Sequence, residues 1–182
     1  MQQILTSPFF LVLYIFIIGL GVSAIFAWSS LAPWLPTQRK DLKRINKDAN
    51  LKPGQSFIEI GCGDARVCSY IARHNPRAHV EGIELAPPLY FYSYIKQKIS
   101  GPKNLKILYG NALKHNFSHY DVIYIYGLKE TINNQIKKKL LKDMKKGSKF
   151  LSYVFSLDDD WKDVQTEKPG TKERSVHIYI QK

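Results

Sequence analysis

Residues Phe57–Val67 read FIEIGCGDARV, an apolar run followed by two closely spaced glycines and the start of a helix-like segment. The apolar run is typical of a buried β-strand. Glycines directly after a strand allow the backbone to approach a ligand closely, and that ligand is often a nucleotide or a relative of one. The stretch therefore predicts a ligand-binding turn between a strand and a helix of an α/β domain.

Segments with strand and helix character alternate from this stretch to the end of the chain. The predicted strands are residues 56–61, 79–85, 104–110, 120–127, 148–156 and 175–182, and the predicted helices are residues 65–74, 87–99 and 130–146. This alternation is typical of a doubly wound, Rossmann-like parallel sheet. Because no strong helix separates the last two strands, we expect an antiparallel strand at the C-terminal end of the sheet.

The first 38 residues contain no charged side chain, so the formal net charge of +12 comes entirely from the rest of the chain. Within them, residues 9–28 form an apolar run that is long enough, as a helix, to cross the ~30 Å hydrocarbon core of a bilayer. A cleaved signal peptide would need a positively charged start, which MQQILTSP lacks, and a buried core helix is the other alternative. We expect one N-terminal transmembrane helix.

Basic side chains crowd the C-terminal side of this apolar run. They are Arg39, Lys40, Lys43, Arg44, Lys47 and Lys52, opposed by Asp41 and Asp48. The positive-inside rule then places the following domain on the cytoplasmic or mitochondrial-matrix side, and the lack of an Arg-rich presequence favours a bacterial inner membrane. The predicted organisation is a membrane anchor at residues 1–35, a basic juxtamembrane segment at residues 36–56 that contacts anionic lipid, and a domain at residues 57–182.

The residues of the glycine turn indicate what kind of ligand it binds. A dinucleotide-binding turn would have the spacing G-x-G-x-x-G, whereas here Gly61 and Gly63 are followed by Ala65. Glu59, just before the turn, would repel a pyrophosphate and attract an ammonium group, such as that of a methionine moiety. Cys62 and Cys68 fit a reducing compartment and show no metal-ligand spacing, so we expect free thiols and no metal.

Polar residues at the ends of the next two strands complete the predicted pocket. Glu84 ends the second strand, where a carboxylate can accept both hydroxyl groups of a ribose. Asn111 follows the third strand, where its amide oxygen could accept a hydrogen bond from an adenine amino group. The order of these residues within one βαβαβ unit predicts a pocket for S-adenosylmethionine.

On these residues, the chain resembles class I S-adenosylmethionine-dependent methyltransferases. More narrowly, it resembles the membrane-anchored protein-lysine methyltransferases that act on the ATP synthase c-subunit and the adenine nucleotide translocase. The matching elements are the N-terminal apolar helix, PWLPT at residues 33–37, EIGCGDARV at residues 59–67 and GIELAPPLYFYSYIK at residues 82–96. The resemblance implies cofactor contacts from Thr37, Glu59, Gly61, Cys62, Gly63, Asp64, Arg66, Glu84, Leu85, Asn111 and Ala112.

The chain departs from the family pattern at three positions. Ala65 replaces the usual third glycine, which is acceptable only if this residue keeps a negative φ. Asn111 stands in place of an aspartate, and Ala86 in place of an asparagine. These departures weaken the resemblance to the narrower family more than the resemblance to methyltransferases in general.

The chemistry implied by the resemblance is methyl transfer to a lysine, which must first lose its proton. An apolar or aromatic channel lowers a lysine pKa by desolvation. Tyr124 and Tyr126 alternate with isoleucines at the end of the fourth strand, and we predict that Tyr126 and Gly127 line this channel. The alternative is that both tyrosines only pack the sheet against a helix.

The predicted acceptor is a lysine of an integral membrane protein, with the c-subunit of ATP synthase as the first candidate. A small-molecule or lipid acceptor, or a catalytically inactive interaction module, are the alternatives. We do not expect a nucleic-acid partner. The fourth strand is not followed by the Asn/Asp-Pro-Pro-aromatic sequence expected for methylation of base nitrogens, and the lysines of residues 137–146 lie mostly on the solvated face of a predicted helix.

Overall fold

The computed structural model describes residues 8–28, 36–157, 161, 164–168, 170 and 173–182, with side chains described for residues 8–23 of the first range. The helices are α1 (Pro8–Trp28), α2 (Leu42–Ala49), α3 (Arg66–His74), α4 (Pro87–Ser100), α5 (Lys129–Thr131) and α6 (Lys137–Asp143). The strands are β1 (Ser56–Ile60), β2 (His79–Glu84), β3 (Leu105–Tyr109), β4 (Val122–Ile125), β5 (Lys149–Tyr153), β6 (Val164–Glu167) and β7 (Val176–Ile180).

The seven strands form one sheet in the order β3-β2-β1-β4-β5-β7-β6. The first five strands pair in parallel, and β7 is antiparallel to β5 and to β6. The predicted Rossmann-like sheet with an antiparallel C-terminal strand is therefore confirmed. Sequence reasoning missed β6, because its residues VQTE carry no apolar alternation and gain their strand conformation by pairing with β7.

Helices cover the sheet on both faces and divide the core into two apolar clusters. On one face, α2 and α3 pack Leu42, Ile45 and Ile71 against β1 and β4. On the other face, the segment that joins α5 and α6 packs against Ile58 and Ile60 of β1. Because β1 is buried on both faces, all of residues 57–60 are buried, rather than every second one.

The predicted helix at residues 130–146 is present but not regular. Ile132, Ile136, Leu140 and Met144 are all buried in one cluster, as the periodicity predicted. A π-helical stretch, Ile132–Ile136, separates α5 from α6. Such a stretch widens the turn by one residue, a local adjustment that periodicity does not predict.

The helix predicted at the N-terminus is present as α1, and its apolar side chains are exposed, with Phe9 at 69% and Val12 at 65% of their full accessible surface. It contacts α4. Among the residues that the structure describes, no helix reaches the length and apolar character needed to cross a membrane. The predicted helix is therefore present, but the prediction that it spans a membrane is not confirmed. Residues 1–7 and 29–35, which the predicted anchor includes, lie outside the described part of the chain.

The basic segment that follows is built into the domain. Residues Arg39–Asp41 form a 3₁₀ turn, and α2 then buries Leu42, Ile45 and Ala49. Arg44 is nearly buried, lies 3.2 Å from Asp41 and donates to the backbone oxygens of Glu167 and Arg174. The segment therefore packs against the sheet and against the start of β7.

Candidate active site

A cleft of about 300 Å³, counting its open mouth, lies where β1 and β4 end side by side. Its lining combines the segment before α2, the glycine turn and the residue after β4. The lining residues are Pro36, Thr37, Glu59, Gly61, Cys62, Gly63, Asp64, Arg66 and Tyr126. The fold thus brings together eight of the residues predicted for the site. Glu84, Leu85, Asn111, Ala112 and Gly127 are not among the residues that line it.

The glycine turn has left-handed backbone conformations at three positions. Gly61 has φ 66°, Gly63 has φ 52° and Ala65 has φ 58°. The condition under which alanine was expected to replace the usual glycine, a negative φ at Ala65, is therefore not met. Ala65 lies at the start of α3, where its N–H donates to the carbonyl of Cys62 over 2.7 Å, and this tight turn requires the left-handed conformation. An alanine pays roughly 1–2 kcal/mol for that conformation.

Glu84 holds the glycine turn against the end of β2. One carboxylate oxygen accepts the N–H of Gly63 and the other accepts the N–H of Ala86, each over 2.8 Å. Each oxygen keeps a second acceptor direction, which suits a diol such as that of a ribose. Glu84, which was predicted to bind the ribose, therefore also stabilises the glycine turn.

Glu59 is a buried carboxyl at the floor of the cleft. Its Oε2 accepts the N–H of Cys68, over 2.8 Å, at the start of α3. Burial is the main cause that raises the pKa of Glu59 to about 8. The hydrogen bonds from Cys68 lower this pKa, and the negative charges of Asp64 and Glu84 raise it further. Its proton is therefore retained near neutral pH, and a cation bound beside it would favour the charged form.

The segment around Thr37 is held over the turn by two contacts. The Thr37 hydroxyl and the Tyr124 phenol are hydrogen-bonded over 2.7 Å, and the Thr37 carbonyl accepts from Arg66 over 3.2 Å. Arg66 is itself held by the carboxylate of Asp64, at 2.7 Å from Nη2 to Oδ2. Sequence alternation indicated the burial of Tyr124 but not its partner.

Tyr126, the residue after β4, lines the cleft together with the glycine turn. Its ring meets Tyr153 edge-on, with the ring centroids 4.9 Å apart, and the guanidinium of Arg174 lies 5.9 Å from the ring centroid. Arg174 also donates to the Tyr126 hydroxyl. The Tyr153 hydroxyl donates in turn to Asp41. Arg174 carries no local sequence signal, and only the pairing of β5 with β7 places it beside the cleft.

Three predicted residues have roles in local packing. The Asn111 side-chain oxygen accepts the N–H of Leu113 over 2.9 Å and keeps a second acceptor direction for the predicted contact with adenine. Ala112 is buried in the 3₁₀ turn that Asn111 caps. Gly127 faces the side chains of Ile125 and Ile132 rather than the cleft.

Gly82 is a residue that sequence reasoning missed. A β-carbon at this position of β2 would lie 2.8 Å from Cβ of Cys62 and 3.1 Å from the sulfur of Cys68. The glycine therefore gives room for the turn to lie against β2. A glycine inside a strand is the signal that indicates such a close approach. Cys62 and Cys68 are both free and buried, and no metal-binding group of His, Cys, Asp or Glu occurs within the described ranges.

The chain is similar to known methyltransferases. A protein-lysine N-methyltransferase from Saccharolobus islandicus is 24% identical over 151 residues, which cover 81% of this chain and 92% of that protein. A relative named "Probable ribosomal RNA small subunit methyltransferase A", from Methanosarcina mazei, is 30% identical over 135 residues, which cover 74% of this chain and 46% of that protein. This chain thus spans about half the length of the second relative.

Solved structures show the same fold. An RNA methyltransferase from Salinibacter ruber in complex with S-adenosyl-L-homocysteine superposes with a TM-score of 0.73 at 20% identity, covering 80% of this chain and 93% of that one. A methyltransferase from Thiobacillus denitrificans, with the same ligand, gives a TM-score of 0.55 at 17% identity, covering 76% of this chain and 54% of that one. At these identities, the likeness concerns the fold alone.

The family comparison covers the site itself. Residues 59–165, more than half of the chain, match the family model of the ANTKMT methyltransferase domain. The match starts at Glu59 of the cleft and includes the glycine turn, Glu84 and Tyr126. The resemblance predicted from the sequence is confirmed: the chain belongs to the ANTKMT methyltransferase domain family and is an S-adenosylmethionine-dependent methyltransferase.

Proposed function

We propose that this enzyme is anchored to a membrane and methylates a lysine of a membrane protein, with the c-subunit of ATP synthase as the first candidate. The observation that carries the proposal is the composition of the cleft. One side of the lining is the glycine turn with its acids, and the other is the half-buried aromatic ring of Tyr126. The near full-length likeness to a protein-lysine methyltransferase supports this acceptor.

The residues of the first side fit the cofactor. When bound, S-adenosylmethionine supplies a methyl group on a positively charged sulfur. Glu59 is suited to the ammonium of its methionine moiety, because a nearby cation favours the charged form of this buried acid. The free acceptor directions of Glu84 are suited to its ribose.

The second side fits an acceptor lysine. A lysine needs a free electron pair to react, so its ammonium must lose a proton. The half-buried ring of Tyr126 offers an apolar surface that desolvates an ammonium, and the guanidinium of Arg174 is a like charge beside it. Both effects lower the pKa of a lysine that enters from this side.

The likeness to a ribosomal RNA methyltransferase raises the possibility of a base nitrogen as the acceptor. The residues that follow β4 argue against it. They read Tyr-Gly-Leu-Lys at positions 126–129, without the paired prolines expected for methylation of base nitrogens. We therefore propose protein rather than nucleic acid as the substrate.

The membrane part of the proposal rests on α1 and on the basic surface near α2. The described side chains of α1, within residues 8–23, are mostly apolar and exposed. Four exposed lysines, Lys40, Lys43, Lys47 and Lys52, remain free of the core and suit anionic lipid on the cytoplasmic face of a bacterial inner membrane. Resistance of the full-length protein to alkaline extraction from its membranes is the expected result, and complete release into the supernatant would overturn the anchor.

Labelled cofactor tests the acceptor. The full-length enzyme is incubated with radiolabelled S-adenosylmethionine and its own membranes, and the label is located by mass spectrometry. We expect methylated lysine in a small membrane protein. The control is Gly63→Arg, which places a long side chain at a left-handed position of the turn and should abolish cofactor binding in calorimetry.

Three other outcomes would each overturn a different part of the proposal. Label in lipid or in a small molecule would show that the acceptor is not a protein lysine. Label in RNA would show that the acceptor is a base nitrogen. If the parent binds cofactor but no fraction becomes labelled, the protein would be a catalytically inactive interaction module.

A further inference from the structure

Helix α4 carries its large apolar side chains on the side that faces away from the sheet. Phe91, Tyr92, Ile95 and Ile99 are 59%, 56%, 53% and 80% exposed. The side that faces the sheet includes a polar residue, Ser93, which is fully buried. A helix on the surface of a water-soluble domain normally has the opposite arrangement, with polar side chains outside. Contiguous exposed apolar side chains of this size indicate an interaction surface.

The same part of the chain has charge of one sign only. From Leu85 to Tyr120 the sequence contains no Asp or Glu, and it contains the lysines Lys96, Lys98, Lys103, Lys106 and Lys114. This segment forms α4 and β3, the strand at the edge of the sheet. The apolar face of α4 therefore lies on a positively charged edge of the domain.

Aromatic and basic side chains are mixed on this surface. The ammonium of Lys96 lies 5.6 Å from the ring centroid of Tyr92, and that of Lys98 lies 5.4 Å from the ring of Tyr94. Tyr109, at the end of β3, is 58% exposed and extends the surface. Tyrosines and lysines around aliphatic side chains are typical of the boundary between lipid headgroups and acyl chains.

The surface is continuous with a second exposed apolar element, because α1 contacts α4. We propose that the outer face of α4, defined as Phe91, Tyr92, Ile95 and Ile99 and called here the α4 face, lies on an anionic lipid bilayer. The apolar side chains enter the headgroup boundary, and the lysines pair with acidic headgroups. This inference rests on the proposed membrane location and adds the surface by which the domain meets the bilayer.

Contact at the α4 face would fix the orientation of the cleft. The Lys96 ammonium donates to the backbone carbonyl of Asp64 over 2.9 Å, so α4 is tied directly to the glycine turn. Tyr90 of α4 also packs on Tyr109, with the ring centroids 5.2 Å apart. A bilayer under α4 would therefore hold the C-terminal edge of the sheet, where the cleft lies, close to the headgroups.

Quenching of tryptophan fluorescence by lipid tests the proposal. The full-length enzyme is reconstituted in vesicles of phosphatidylcholine and phosphatidylglycerol that contain nitroxide-labelled acyl chains. The Ile95→Trp variant is compared with Leu141→Trp, since Leu141 is also exposed, at 43%, but lies on α6 on the other face of the sheet. The parent enzyme supplies the background from its own tryptophans.

We expect quenching above background for Ile95→Trp, several-fold more than for Leu141→Trp, and weaker in vesicles without phosphatidylglycerol. Equal quenching of the two variants, or none for Ile95→Trp, would overturn the proposal. Cross-linking of two copies through position 95 in vesicles would overturn it in favour of a dimer surface. The measurement needs no methyl transfer, so its failure is distinct from failure of the proposed lysine activity.

A second measurement tests the orientation. The double substitution Phe91→Ser and Ile99→Ser is expected to lower the rate of methylation of the membrane acceptor several-fold while calorimetry shows unchanged cofactor affinity. Leu141→Ser is the matched control and should leave both unchanged. An unchanged rate in the double variant would show that the α4 face does not orient the enzyme.

Discussion

Thr37 and Tyr124 lie 87 residues apart in the chain and share a buried hydrogen bond of 2.7 Å between their hydroxyl oxygens. This bond connects the segment before α2 to the centre of β4. Because Arg66 also donates to the Thr37 carbonyl, the same segment is connected to the start of α3. The N-terminal part of the domain is thereby part of the cleft.

Tyr124→Phe should destabilise the protein and weaken cofactor binding. It removes one partner of a buried pair and leaves the Thr37 hydroxyl without its phenol, which costs about 1–3 kcal/mol. Chemical denaturation and calorimetry measure the two effects. The control is Tyr70→Phe, since the Tyr70 ring stacks on His74, 4.0 Å away, and Tyr70 does not line the cleft. Equal stability of both variants and the parent would show that the bond contributes nothing.

Glu84→Gln should weaken cofactor binding by roughly 10- to 100-fold, because at least one charge-assisted hydrogen bond of about 1.5–3 kcal/mol is lost. Calorimetry of the full-length protein measures this affinity. Glu81→Gln, in the same strand, is the matched control, since Glu81 accepts from the Tyr120 phenol, whereas Glu84 accepts the N–H of Gly63 in the glycine turn. An affinity of Glu84→Gln within about twofold of the parent would mean that the pocket has been misplaced.

Ala65→Gly should leave the free energy of unfolding nearly unchanged or raise it slightly. Glycine relieves a left-handed conformation that costs alanine roughly 1–2 kcal/mol, and it adds about 0.4–1 kcal/mol of chain entropy to the unfolded state. The comparison is Ala72→Gly inside α3, where glycine should cost about 1 kcal/mol. Denaturant titration distinguishes them. If Ala65→Gly were as destabilising as Ala72→Gly, the left-handed conformation at Ala65 would be refuted.

Glu59→Gln should change how stability depends on pH. In the folded protein the pKa of Glu59 is raised from 4.5 to about 8, chiefly by burial. Between these values the unfolded state has released the proton and the folded state has not, so the free energy of unfolding falls as pH rises and then levels off above about 8. Because glutamine does not titrate, the variant does not show this fall in the free energy of unfolding.

As the pH rises from acidic values to about 8, the free energy of unfolding of the variant should therefore increase relative to that of the parent. The expected increase is a few kcal/mol, because each unit of pKa difference corresponds to about 1.4 kcal/mol. Denaturation at a series of pH values measures the gain. Below the unfolded pKa both side chains are uncharged, which makes the acidic end of the series the internal control. Parallel pH profiles for parent and variant would contradict the raised pKa.

Tyr126→Leu should lower kcat by about 10- to 100-fold, because loss of the ring loosens the positioning of the acceptor. The cofactor affinity should change little, since Tyr126 is not among the predicted cofactor contacts. Tyr126→Phe keeps the ring against Tyr153 and should retain most of the activity. A loss in Tyr126→Phe as large as in Tyr126→Leu would show that the hydroxyl bonded to Arg174, rather than the aromatic surface, is what matters.

The sequence alone determined the order of the elements and the position of the glycine turn. Strand and helix periodicity, and the preference of turns for glycine, are expressed within short windows of the chain. For this reason residues 57–67 were sufficient to predict the first βα unit, and Glu84 was expected at the end of the second strand. The same reasoning predicted α1 as an apolar helix and the inward face of residues 132–144.

Only the tertiary structure decided which side chains meet. Arg174 reaches Tyr126 because β4, β5 and β7 are neighbours in the sheet, and Thr37 meets Tyr124 because the segment before α2 packs over β4. The left-handed Ala65 follows from the tight turn between β1 and α3, against its own preference. The strand conformation of β6 depends on its pairing with β7. Contacts between distant residues depend on how the whole sheet packs, and no local window of sequence contains that information.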